Sequence, residues 1–248
     1  MTAKLELKGI KKAFVVERGV LPVVAGLDLT VLPSEFVAIV GPSGCGKSTL
    51  MNLIAGFEAP DSGTVLVDGT RRTGPNSRGI LISQQGSVFP WLTARQNVLF
   101  ALNEGTEQAK ADIADHYLGI VGLKGFENSY PHELSGGMLK RLEFARALVV
   151  KPSTLFMDEA FSGLDALASF RLRSELLRVL AEEHQTALLV THDVEEAIQL
   201  ADRIVVLSRR PTRVQRTFDV PFPHPRKVSS AEAQELREAV LRELAVES

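Results

Sequence analysis

Between positions 36 and 56 the spacing of apolar residues changes period within a few residues. Phe36–Val40 is an unbroken, partly β-branched apolar run that stops at Gly41, the pattern of a strand buried on both faces of a parallel sheet. From Ser48 onward Leu50, Leu53 and Ile54 recur at helical spacing, and Gly56 stands where a C-cap ends a helix. Apolar runs of the first kind return at 155–157, 188–190 and 203–207, with a helical pattern over 168–183 between the first two. Strands that alternate with helices predict an α/β core around a parallel sheet.

The flanking segments follow other patterns. Short strands at 4–8 and 27–32, the latter followed by a break at Pro33-Ser34, predict a small antiparallel sheet beside the core; 60–63 reads as a turn, 64–69 as a strand closing on another turn, and 78–85 as a further strand ending in polar residues. From Thr93 to about Val150 strand signals vanish. A helix is predicted over 106–118, a looser connection over 119–130, and a second helix running from 131–138 through Leu139, Leu142, Phe144, Ala145 and Leu148. The segment 209–227 is rich in proline and arginine with little periodicity. An amphipathic helix over 229–245 closes the chain, with Ser229 and Glu232 in a capping-box pattern and Leu236, Val240 and Leu244 on one face.

The turn between the first strand and helix changes the picture from architecture to chemistry. Gly41, Pro42, Ser43, Gly44, Cys45, Gly46, Lys47, Ser48 and Thr49 match the pattern G-x-x-x-x-G-K-[ST] in its required strand-to-helix context. Its glycines let successive N–H groups converge on one anion at a helix N-terminus. Lys47 supplies a full charge for the β- and γ-phosphates, and the Ser48 hydroxyl is placed as a magnesium ligand. Kinases, GTPases, motor proteins and transport ATPases all use such a loop, so it names a substrate class and no single enzyme.

Composition narrows this little. The 248 residues are 45% hydrophobic and 23% charged, ordinary for a globular chain. A formal net charge of -2 carries no basic excess of the kind nucleic-acid binders show. The single cysteine, Cys45, has no intramolecular partner for a disulfide and reads as a small filler in the loop, so a reducing compartment is expected. Residues 1–8 alternate charge and apolarity without the apolar core of a signal peptide, and no apolar run reaches the roughly 18 residues of a membrane span.

In open α/β sheets ligand groups gather at the carboxyl ends of strands. Gln84 there offers an amide to magnesium or to a water. Asp158 can hold magnesium through its water shell, Glu159 can orient or deprotonate the attacking water, and His192 can reach the γ-phosphate. Taken singly, the carboxylate pair also reads as a helix cap and the histidine as structural. A second anion-ready helix start lies at Leu134-Ser135-Gly136-Gly137-Met138, so one complete and one spare phosphate site suggest two copies placed head to tail. Phe14 reads as a core aromatic or as a platform for an adenine ring. Trp91, within Phe89-Pro90-Trp91-Leu92, reads as a core corner or as an exposed anchor for a partner.

On these motifs the chain resembles the ATP-binding subunit of ABC transporters over nearly its whole length. The phosphate loop, a glutamine loop at Gln84, the signature Leu134–Met138, Asp158-Glu159, Ser162-Gly163-Leu164-Asp165 and His192 stand in the family's order. The resemblance implies an α/β, RecA-like P-loop NTPase core with an antiparallel β subdomain and an inserted α-helical signature subdomain. It divides 1–248 into a core with β subdomain (1–86 and 151–222), a helical subdomain (87–150) and a C-terminal tail and helix (223–248). It further implies Phe14 as the adenine-stacking aromatic, ATP and Mg²⁺ as the bound species, and a homodimer or a pair of like ATPase subunits. Its remaining implied partners are two transmembrane permease subunits at the cytoplasmic face of the cell membrane and, indirectly, a periplasmic or extracellular solute-binding protein. Nucleic acid is not among them.

Phe89-Pro90-Trp91, Met138, residues 207–214 and Phe222-Pro223-His224-Pro225-Arg226 resemble the nitrate/sulfonate/taurine uptake branch. Lipid or lipoprotein exporters share the catalytic motifs, and a non-transport ABC ATPase or a nucleotide-regulated adaptor completes the set of readings. Three departures stand out. Ala160 follows Glu159 where proline is usual, residues 138–143 replace the commoner glutamine-containing run, and Gln85 beside Gln84 offers a second candidate for the glutamine loop; Gln84 is preferred on its distance to Pro90-Trp91.

Overall fold

The computed structural model describes residues 4–17, 19–84, 86–102 and 105–245. In chain order these form β1 (Leu5–Val16), β2 (Gly19–Val31), β3 (Phe36–Val40), α1 (Lys47–Ala55), β4 (Ser62–Val67), β5 (Thr70–Arg71) and β6 (Gly79–Ile82). Helices α2 (Ala94–Leu99), α3 (Glu107–Ile120) and α4 (Gly136–Leu148) follow, with a 3₁₀ turn at Pro131–Glu133. The chain then alternates through β7 (Thr154–Asp158), α5 (Ala166–Glu182), β8 (Thr186–Val190), α6 (Val194–Leu200) and β9 (Arg203–Leu207), and closes with β10 (Val214–Asp219) and α7 (Ala231–Ala245).

Two sheets result. One is antiparallel in the order β2-β1-β4-β5; the other runs β10-β9-β3-β8-β7-β6, parallel from β9 to β6 with β10 antiparallel on its edge. The pleat explains why β3, β7 and β8 are apolar without interruption. Phe36, Ala38 and Val40 enter one core with the inserted helices, while Val37 and Ile39 enter a second core with α1 and the antiparallel sheet. The neighbouring strands split the same way: Leu155, Met157, Ala187 and Leu189 go to the first core, Phe156, Leu188 and Val190 to the second. The strand ends beside the phosphate loop are therefore clamped from both sides.

Three sequence expectations are corrected. Residues 4–8 and 27–32 belong to one long hairpin, β1–β2, interrupted by register shifts between Leu7 and Ile10 and between Lys12 and Ala13. These breaks hide the period-2 pattern and place Phe14 on β1. The segment after β9 contains a strand, β10, whose residues carry no apolar run because it is an edge strand, paired with β9 alone and packed on the cores only through Val214 and Phe218. The last helix is capped one residue later than expected: Ser230 Oγ, in place of Ser229, accepts the Ala233 N–H at 3.2 Å. Its tail is fastened to the core by Arg226, which donates to the carbonyls of Phe222 (2.8 Å), Ile198 (3.0 Å) and Ala201.

Candidate active site

The phosphate loop leaves β3 at Gly41 and enters α1 at Lys47. Gly46 sits at φ 114°, a conformation that disfavours side chains, and a β-carbon there would lie 2.6 Å from Val23 Cγ1. Helix α1 has no side-chain cap. Leu50 is the residue whose N–H closes the first helical bond, to the Gly46 carbonyl at 2.8 Å, so the N–H groups of the first turn face the loop's concavity. Cys45 does not share in this. Its thiol is buried in the core, burial pushes its pKa up against the nearby charge of Lys47, and its N–H bonds the Pro42 carbonyl at 3.2 Å. Lys47, 8% exposed, folds its ammonium back onto the carbonyls of Gly41 (2.8 Å) and Pro42 (3.0 Å).

A cavity of about 540 Å³ opens over this loop, lined by Ser43, Gly44, Gly46, Lys47, Ser48 and Thr49. Phe14 lies on its wall with Val16, Leu21 and Val23 of the β1–β2 hairpin, and Gln84, Glu159 and Arg210 complete it. The sequence patterns reached neither the hairpin's apolar wall nor Arg210, since both are brought in from distant strands. Lys12 Nζ lies 5.2 Å from the centroid of the Phe14 ring and is held by Glu58 at 2.6 Å.

At the strand ends the polar residues converge on Glu159. Gln84 Nε2 donates to Glu159 Oε2 at 3.2 Å, and His192 Nδ1 lies 3.5 Å from Glu159 Oε1. Glu159 itself adopts φ 49°, a backbone state that costs about 1–3 kcal/mol for a non-glycine residue. Its N–H bonds the Val190 carbonyl at 2.9 Å, and its own carbonyl accepts from Ser162 N (3.1 Å) and Ser162 Oγ (2.7 Å). With Ala160 buried at the next position, these bonds hold the turn where the family has proline. His192 is aimed by its neighbours: Asp193 caps α6 by accepting the N–H groups of Glu195 (2.8 Å) and Glu196 (3.2 Å), and donates its own N–H to the Thr191 hydroxyl oxygen at 3.0 Å. Gln85 lies outside the described residues.

Asp158 is buried below the loop. Burial pushes its carboxyl pKa up, the Ser48 hydroxyl pulls it down, and the Glu159 charge pushes it up again. Its Oδ1 has no hydrogen-bond partner within the described residues. An orphaned carboxylate oxygen beside a hydroxyl suits a hard, hydrated cation such as Mg²⁺, which takes few protein ligands. Gln84 turns its amide to Glu159 in this structure.

Ser135, Gly136 and Gly137 do not join the cavity of their own chain. Ser135 caps α4 by accepting the Met138 N–H at 3.3 Å, and Ser135 and Gly136 remain exposed. The unusual residues that follow them bind the glutamine loop. Lys140 Nζ donates to the Ser83 carbonyl at 2.6 Å and pairs with Glu143 at 3.2 Å; Glu143 accepts the Ser87 N–H, and Arg146 donates to the Ser87 carbonyl. Glu143→Ala is expected to destabilise the fold by about 3–5 kcal/mol, because it strands a nearly buried ammonium and an amide. A urea denaturation midpoint equal to wild type would remove Glu143 from that role.

Beyond this clamp the apolar residues come to the surface. Trp91 is 70% and Phe100 65% exposed, flanking Phe89 at ring distances of 5.6 and 4.5 Å, with the Arg146 guanidinium 4.4 Å above the Phe89 ring. The core-corner reading of Trp91 is thereby corrected.

A family model described as ABC transporter matches residues 24–162. The chain belongs to the ABC transporter family. It is similar to the nitrate import ATP-binding protein NrtD of Synechocystis, 43% identical over 221 residues, 88% of this chain and 83% of that protein. It is also similar to the aliphatic sulfonates import ATP-binding protein SsuB of Bacillus cereus, 37% identical over 239 residues, 96% of this chain and 95% of that one. Among solved structures, the dimeric post-hydrolysis state of the ATP-binding cassette MJ0796 bound to ADP and Pi matches at TM-score 0.80 and 27% identity, covering 88% of this chain and all of that one. As an ABC ATP-binding subunit, the chain is an ATPase that serves transport.

Proposed function

We propose that this chain energises import of a small anionic solute, nitrate-like or sulfonate/taurine-like, through two separate permease subunits. The observation that carries the reading is the convergence of Gln84 and His192 on Glu159 at the mouth of a cavity floored by a phosphate loop. The names of its relatives, nitrate import and aliphatic sulfonates import, supply the solute class.

In this mechanism adenine stacks on Phe14 and the phosphates enter the loop, where first-turn N–H groups and Lys47 receive them. Lys47 exchanges the carbonyls of Gly41 and Pro42 for phosphate oxygens. Ser48 and, through water, Asp158 would hold Mg²⁺, with Gln84 within reach as a further oxygen; when bound the ion neutralises charge on the phosphates. Glu159 aligns the attacking water and takes its proton, while His192 steadies the γ-phosphate. Ser135, Gly136 and Gly137 lie outside the cavity of their own chain, and the similar cassette MJ0796 is described as dimeric. We therefore assign them to the nucleotide of a second copy, which each chain completes for the other.

No helix among the described residues is long and apolar enough to cross a membrane. In this reading the solute's path belongs to the permease subunits, at whose cytoplasmic face the chain attaches. The exposed Trp91 and Phe100, packed on the half-buried Phe89 and tied to Gln84's loop, are the docking point that carries closure to the permease. Two measurements test this. Trp91→Ala is expected to cut recovery of the permease subunits in co-purification at least several-fold, and full recovery would return the aromatic group to simple packing. The intact complex with its binding protein, in proteoliposomes, is expected to accumulate nitrate, taurine or an alkanesulfonate only with ATP on the cassette side; export in place of uptake would sink the importer assignment.

A further inference from the structure

The turn between β9 and β10 brings to the cavity a cation, Arg210, to which the resemblance of residues 207–214 gives no role there. Ser208 N donates to the Arg213 carbonyl at 3.0 Å, and Arg213 N to Ser208 Oγ at 3.0 Å, which closes the turn. Thr212 then fastens it. Fully buried, Thr212 donates its N–H to Val23 O (2.7 Å), accepts the Ala25 N–H at its carbonyl (3.1 Å) and donates its hydroxyl to the Cys45 carbonyl inside the phosphate loop. The turn is thus sewn to β2 on one side and to the loop on the other.

Arg210 stands at the tip of this turn. A β-carbon built on Gly44 would lie 3.6 Å from Arg210 Nη2, and Arg210 lines the cavity with Ser43, Gly44 and Lys47. The Arg210 side chain is exposed and has no hydrogen-bond or ion-pair partner among the described residues. Its charge reaches the loop: with Lys47, it opposes the upward push that burial gives the Cys45 thiol. The two cations at the cradle differ in what occupies them. Lys47 is engaged with loop carbonyls, while the guanidinium presents its donors to open cavity.

We propose that Arg210 is a polyphosphate-binding residue of this site, donating from its guanidinium to non-bridging phosphate oxygens of a nucleoside di- or triphosphate held in the loop. The proposal rests on the nucleotide reading above and adds a residue from the far side of the sheet. A planar fork of N–H donors that never loses its charge suits phosphate oxygens, and its anchored turn spares the cost of ordering the backbone when the ligand arrives. The ligand class follows from the charge: affinity is expected to depend on the number of phosphates more than on the base.

The test is titration of a fluorescent ADP analogue into the full chain, comparing wild type, Arg210→Gln, Arg210→Lys and Lys47→Ala at low and high salt. Arg210→Gln is expected to weaken binding about tenfold at low salt, with the loss shrinking at about 0.5 M salt as screening shortens the reach of the charge. Arg210→Lys is expected to recover part of the loss, and in ATP turnover Arg210→Gln is expected to raise KM more than it lowers kcat. Binding by Arg210→Gln within twofold of wild type, with Lys47→Ala crippled, would overturn the role of Arg210 and leave the phosphate cradle intact. Normal binding by both variants would overturn the two together. A lysine variant as weak as the glutamine one, with a salt-insensitive loss, would mark a displaced turn and also overturn the proposal.

Discussion

Replacing Glu159 with glutamine is expected to leave ATP bound and to lower turnover by at least about a hundredfold, the scale of removing a general base. Glutamine keeps the size of the side chain and an oxygen for the Gln84 amide, now 3.2 Å away, but it cannot take a proton from water. The backbone at φ 49° is set by bonds to Val190 and Ser162, which involve no side-chain atom of residue 159, so the substitution leaves the turn in place. With hydrolysis blocked, the ATP-loaded pair should persist. Phosphate release measured beside light scattering in ATP separates the outcomes. A rate equal to wild type takes Glu159 out of the chemistry, and a slow rate with no ATP-dependent dimer breaks the link between hydrolysis and closure.

Lys47→Ala is expected to weaken ATP binding by about 10- to 100-fold, since hydrogen bonds to charged groups contribute about 1.5–3 kcal/mol. Among the described residues the lysine has no carboxylate ion-pair partner: its hydrogen bonds go to the neutral carbonyls of Gly41 and Pro42, which an anionic phosphate outcompetes. Alanine also leaves those carbonyls facing the cavity, where they repel phosphate oxygens. Isothermal titration with ATP checks this directly, and a dissociation constant within twofold of wild type would refute the cradle. Because Lys47 lies at the start of a helix whose packing comes from Leu50, Met51, Leu53 and Ile54, the loss should appear in binding far more than in thermal stability.

Much of the site was legible because its residues are neighbours along the chain. In the phosphate loop one stretch of backbone supplies glycines, lysine and hydroxyl, and local turn chemistry alone arranges them. Gln84, Asp158, Glu159 and His192 could be grouped because parallel strands deliver their ends to one edge. What stayed hidden is what short-range pattern cannot encode. The register shifts of β1 erase its alternation, β10 is an edge strand whose ladder is with β9, and Ser230 displaces Ser229 as the cap by the local geometry of one turn. Trp91 had two readings of equal standing until packing left it 70% exposed.

The sequence by itself determined the class of core, the glycine-rich loop between β3 and α1 and the candidate groups proposed to handle ATP, because strand and helix periodicities and the turn's glycines are properties of adjacent residues. Only the tertiary structure decided that Gln84 and His192 meet at Glu159, that Lys140 and Glu143 lock the glutamine loop to α4, and that Arg210 overhangs Gly44. Those contacts join positions up to 166 residues apart, as Arg210 is from Gly44, and their distances come from sheet order and the packing of two cores. No local propensity carries that information.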